Sequence, residues 1–136
     1  MSNPAQLVAD ILPTFSDHAV AEALSVLQRG RPNMLLVGAE EAVDRLLERI
    51  HLHLDAPIAS WMPRRRLTWP GGDFQTLIVR GVDGLSPTQQ TQLTALDRPV
   101  HIVSTTAEPL YPAVKSGAFA EALYYRLNVV VISSLL

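Results

Sequence analysis

A chain of 136 residues, 48% hydrophobic and 18% charged, is long enough for one domain with a sizeable core and too apolar to be disordered. Its net charge of -2 argues against bulk nucleic-acid binding, and the absence of cysteine excludes disulfides, thiol catalysis and cysteine-ligated metals. The opening MSNPAQLVAD lacks the basic segment of a signal peptide and no apolar run could cross a bilayer, so a soluble, cytoplasmic protein without membrane contact is expected.

Residues 1–30 read as N-terminal helices. Leu7, Val8, Ile11 and Leu12 form a short amphipathic stretch ended by Pro13. Ser16 or Asp17 then caps a second helix with Val20, Ala23, Leu24 and Leu27 inward, closed by Gly30. The core is expected over 33–132. NMLLV at 33–37 is a buried strand ended by Gly38, and a helix follows from about Glu40 to Leu54, with Val43, Leu46, Leu47, Ile50 and Leu54 on one face. PIASW at 57–61 is a second strand, and the prolines, paired glycines and arginines of 62–73 mark an exposed loop.

Phe74 to Val79 is a third strand and Asp83 to Leu85 a turn. Ser86 caps, and Pro87 opens, a helix running to about Leu96. Pro99 to Ser104 is a fourth strand and Pro109 to Ser116 a turn or short helix. In GAFAEALYYRLNVVV, 117–131, Phe119, Leu123 and Leu127 recur at helical spacing, and from Val129 to Ile132 the β-branched run reads as a buried fifth strand. Five strands alternating with helices predict an α/β fold: a three-layer sandwich with a five-stranded parallel sheet between helices.

The segment ending in LYYRLNV resembles the sigma-54 interaction domain, the AAA+ core of bacterial enhancer-binding proteins, whose pattern is GxFREDLYYRLNV. Gly117, Phe119, Glu121, Leu123, Tyr124, Tyr125, Arg126, Leu127, Asn128 and Val129 stand at its fixed letters. The resemblance implies an AAA+/P-loop NTPase-like core with strand order 5-1-4-3-2 and a nucleotide site at the end of the first strand. It covers roughly 18–132, and the helical lid that follows the core in the family has no counterpart before Leu136. A single degenerate domain over 1–136 is the expectation.

The parts that hydrolyse ATP in the family are altered here. A phosphate loop reads GxxxxGK[ST], with amides wrapping the phosphates and a lysine neutralising them. The corresponding Gly38, Ala39, Glu40, Glu41, Ala42, Val43 and Asp44 keep only the first glycine, and their acids suit the first turn of a helix instead. In TLIVRGVDGL, set against the family's TLFLDEVGEL, Arg80 and Gly81 replace the Asp-Glu pair, with Asp83 nearby in a turn. Ser104, Thr105, Thr106 and Ala107 replace AATN. Of two arginines that reach a neighbouring subunit's nucleotide, one position is Ala120 and the other Arg126, which reads either as a trans-acting finger or as a solvated residue on the outer face of its helix.

GAFAEA at 117–122 looks like the family's sigma-contacting GAFTGA, but the LYYRLNV after it marks the late helix. The true loop would project from 62–73, which is too short, so remodelling of sigma-54 is not expected. That loop instead carries Trp61, Arg64, Arg65, Arg66 and Trp69, residue types favoured at interface hot spots. The other reading has both tryptophans covering the sheet edge and the arginines solvated. His18, His51, His53 and His101 show no metal-ligand spacing.

The expectation is a non-catalytic AAA+-like regulatory or adaptor domain in transcription control. It has no catalytic residues, metal or cofactor, and a protein partner, such as an AAA+ activator or a second copy, rather than specific nucleic acid. A residual ATP- and Mg-binding switch or weak ATPase is the alternative, and a functionless truncated remnant a third.

Overall fold

The computed structural model describes residues 14–65 and 69–134. The helix expected around Leu7 to Leu12 lies outside them, as does Arg66 of the arginine loop. Helix α1, Asp17–Arg29, is capped by the Ser16 side chain, which accepts from the Ala19 amide at 3.1 Å. Strand β1, Met34–Val37, leads into α2, Glu40–Ile50, whose first turn carries Glu40 and Glu41. The helix ends four residues earlier than its apolar stripe suggests, because His51–His53 tighten into a 3₁₀ turn that still buries Leu54.

Strands β2, Ile58–Trp61, and β3, Thr76–Val79, follow, and then a 3₁₀ turn, Val82–Gly84. Helix α3, Pro87–Thr94, begins with a full capping box, in which Ser86 and Gln89 satisfy each other's amides. Strand β4, His101–Thr106, extends two residues beyond the expected end, carrying Thr105 and Thr106 to the strand terminus. Helices α4, Tyr111–Ser116, and α5, Glu121–Leu127, precede β5, Val130–Ser133.

The sheet order is β2-β3-β4-β1-β5, with every pairing parallel. Written from the other edge this is 5-1-4-3-2. Period-two alternation divides the core into two layers. Met34 and Leu36 of β1 face α1 and α2, joining Ala23, Leu27, Val43, Leu46 and Ile50. Leu35 and Val37 face the other way, toward Leu93 of α3 and Leu123 and Leu127 of α5. Strand β5 forms one edge: Ile132 is buried, while Val129 and Val131 are 60% and 43% exposed. No described helix is long and apolar enough to cross a membrane.

Trp61 is wholly buried at the end of β2, stacked edge-on against half-buried Trp69 with ring centroids 4.8 Å apart. Its place on an exposed contact surface is therefore corrected. Strand pleating turns it into the layer with Phe74, Leu77 and Val79, where its large apolar area is better satisfied than in water.

Candidate functional site

Parallel sheets place clefts at the carboxyl ends of their strands. Here β1, β3 and β4 end around a cavity of about 270 Å³. Gly38, Glu40, Arg64, Arg65, Arg80, Gly81 and Thr105 are among the residues that line it. The structure thus gathers around one cavity residues from the Gly38 segment, Arg80 and Gly81, Thr105 to Ala107, and Arg64 and Arg65.

Counted along GxxxxGK[ST] from Gly38, Asp44 holds the seventh place, where a working loop carries its lysine. Arg80 stands where a metal-binding acid is expected. The two form an ion pair, Arg80 Nη2 donating to Asp44 Oδ1, which ties α2 to the end of β3. The arginine side chain is 18% exposed and the aspartate 52%. Each charge neutralises the other.

The remaining replacements pair in the same manner. Gly81 has φ of 71°, a left-handed conformation unfavourable for a glutamate, and its amide donates to Thr105 Oγ1 at 2.9 Å. A hydroxyl at the sensor strand is thereby committed to the glycine that replaces an acid. Thr106 Oγ1 donates to the Glu108 carbonyl at 2.7 Å. Gly38, the one phosphate-loop letter kept, has a packing reason to stay: a Cβ there would run into Ser134 Oγ and touch the Phe15 ring.

The rim is looser. Arg64 Nη2 lies 3.4 Å from Asp83 Oδ2, and Arg65 has no side-chain partner among the described residues. Both are exposed, as is Glu40. The described residues contain no group of three His, Asp or Glu side chains able to hold a metal ion.

Arg126 does not line this cavity. Its guanidinium donates to three carbonyls at the end of α3: Leu93 at 3.4 Å, Thr94 at 2.8 Å, and Leu96. The solvated reading gives way to another role, in which the cation closes the negative end of a neighbouring helix. Sequence spacing could not show this, because the partners lie about thirty residues away. Gln90 and Asn33 were missed for the same reason. Buried Gln90 donates to the carbonyls of Leu85 and Ala118 and accepts from the Ala120 amide, fixing the start of α5. Asn33 joins the Arg126 carbonyl to the Ile102 amide across β1.

Residues 75–133 match the model of the family described as the Sigma-54 interaction domain. Among solved structures, NtrX from Brucella abortus in complex with ATP superposes with a TM-score of 0.66 and 16% identity, over 96% of this chain and 41% of its own. The ADP complex of the same protein gives 0.66 and 17%, again over 96% and 41%. The P-loop NTPase domain of a sigma-54 transport activator from E. coli gives 0.55 and 18%, over 82% of this chain and 94% of that domain. At these identities the likeness is one of fold, and this chain spans about two-fifths of NtrX. No curated protein matches it.

Proposed function

From a chain that carries Sigma-54 interaction domain sequence over residues 75–133, on the AAA+ P-loop NTPase-like fold of those activators, we propose a domain that works by contact with other proteins and not by hydrolysing ATP. One observation carries the reading: the ion pair between Asp44 and Arg80. In a working site of this fold, a lysine neutralises phosphate oxygens and an acid holds Mg²⁺. Here the two positions carry opposite signs from those required and satisfy one another. A triphosphate would have to break that pair and meet the carboxylates of Glu40, Glu41 and Asp44 at the mouth of α2. Replacing one side chain would not restore the site, because both signs are inverted.

Regulatory or adaptor action in transcription control fits the family in which the sequence match lies, with a protein partner, such as an AAA+ activator, in place of the usual substrate. Direct remodelling of sigma-54 is not proposed. The NtrX structures hold ATP or ADP, and a nucleotide switch is the reading that the same test separates. Calorimetric titration with ATP and Mg²⁺ is expected to show no saturable heat, and phosphate-release assays no turnover above the buffer rate. Micromolar binding would overturn the proposal.

A further inference from the structure

The cavity is unequal in charge along its rim. Arg80 is matched by Asp44, and Glu40 stands alone on the helix side. On the loop side Arg64 and Arg65 face outward, 67% of the Arg64 side chain being exposed. The contact between Arg64 and Asp83 is long and exposed, a geometry that contributes little to stability. Arg64 lies against Gly84: a Cβ there would meet its Nε and guanidinium carbon, the far end of a flexible, exposed side chain that would have to shift.

We propose that this rim is a docking site for an acidic segment of a partner protein, its carboxylates meeting the forks of Arg64 and Arg65 over the cavity mouth. The proposal deepens the contact function above and rests on it. Guanidinium groups bind carboxylates through paired, charge-assisted hydrogen bonds, and Arg65 has none of its donors engaged by a described side chain. Nucleic acid fits less well. Among the described residues, Trp61 is buried and half-buried Trp69 packs upon it, which leaves little face for stacking bases. A cavity of about 270 Å³ accepts a side chain or two, not an extended polyanion.

The test is fluorescence anisotropy with a labelled Asp- and Glu-rich peptide. Saturable, salt-sensitive binding is expected, weakened roughly tenfold or more by Arg64→Glu with Arg65→Glu. The control, Arg45→Glu with Arg49→Glu, makes the same change in net charge on exposed positions of α2 outside the cavity and leaves affinity unchanged. Gly84→Ala, which displaces the Arg64 guanidinium at constant charge, gives a smaller loss than the reversal pair. Circular dichroism verifies that each variant is folded, and Arg64→Gln with Arg65→Gln replaces the reversal pair if that does not fold. The proposal is overturned by absence of saturable binding, by equal losses in the two reversal pairs, by tighter binding of a single-stranded oligonucleotide, or by displacement of the peptide by inorganic phosphate at similar concentration. Each of these leaves the Mg-ATP titration unaffected, so failure here is distinct from failure of the non-catalytic reading.

Discussion

At the level of single residues, the pair formed by Asp44 and Arg80 is a reciprocal exchange of sign, and it makes a reciprocal prediction. Asp44→Ala leaves a mostly buried guanidinium without its partner and is expected to cost about 1 kcal/mol after allowing for the exposed half of the pair. Asp44→Lys alone should cost more, by adding like-charge repulsion. Combining Asp44→Lys with Arg80→Asp restores an attractive pair and should recover most of the loss. Urea denaturation of the native chain, Asp44→Lys, Arg80→Asp and the double variant closes the cycle, and additive losses would show that the two side chains are not coupled. His101 predicts a pH response. Its Nε2 lies 2.7 Å from the Pro32 carbonyl oxygen, so the neutral ring donates there, while Nδ1 is buried without a partner. Burial holds its pKa below the ordinary 6.5; the bond to Pro32 and the charge of Asp55 oppose this, and Arg31 adds to it. The unfolded chain therefore binds the proton more readily, and stability falls as pH drops through about 6.5. Asp55, lowered below 3.8 mainly by its hydrogen bond to Arg31, titrates beneath that window. Thermal melts between pH 7.5 and 5 should lose Tm in the native chain (roughly the His range) and lose less in His101→Gln.

Helices and loops show where sequence reading succeeds and where it stops. The capping box at Ser86 and Gln89 is a local pattern written within a few adjacent residues and appears as expected; the β-branched run to Ile132 forms a strand, but at the sheet edge with Val129 and Val131 in water where a buried strand was expected. The sheet order came from the LYYRLNV resemblance and not from periodicity, which cannot order strands. The ion pair of Asp44 with Arg80 spans 36 positions and the hydrogen bond from Asn33 to Arg126 spans 93, so no window along the chain contains them. Trp61 was misplaced for a different reason. It closes a strand next to an arginine-rich loop, and composition alone assigns it to the loop although pleating buries it. The clamp on α3 gives this level its own prediction. Arg126→Ala leaves the carbonyls of Leu93, Thr94 and Leu96 without their shared donor and should cost about 1–2 kcal/mol, and Arg126→Lys, lacking the fork, should restore only part. Gln90→Ala removes three hydrogen bonds, one buried and two partly buried, and should cost about 2–3 kcal/mol; denaturant midpoints at unchanged slope measure both.

For the molecule as a whole, β1, β3 and β4 each contribute side chains to both layers of the core. Met34 and Leu36 belong to one layer, Leu35 and Val37 to the other, so neither can melt while the other keeps its full packing. One cooperative transition is expected. Leu46→Ala in the layer of α1 and α2 should cost about 2–5 kcal/mol and move the midpoint seen by tryptophan fluorescence, although Trp61 lies in the opposite layer, as far as it moves the midpoint seen by circular dichroism. Separate shifts would mean that the layers unfold independently. The place of β5 at the edge of the sheet, among the described residues, has another consequence, one for handling. Val129 to Ser134 contains neither charge nor proline, and two of its valines meet water. Such a border is adhesive, and in concentrated solution it invites neighbouring molecules to zip on and clot. A single Val131→Lys should raise the concentration at which turbidity begins while leaving the melting curve nearly where it was.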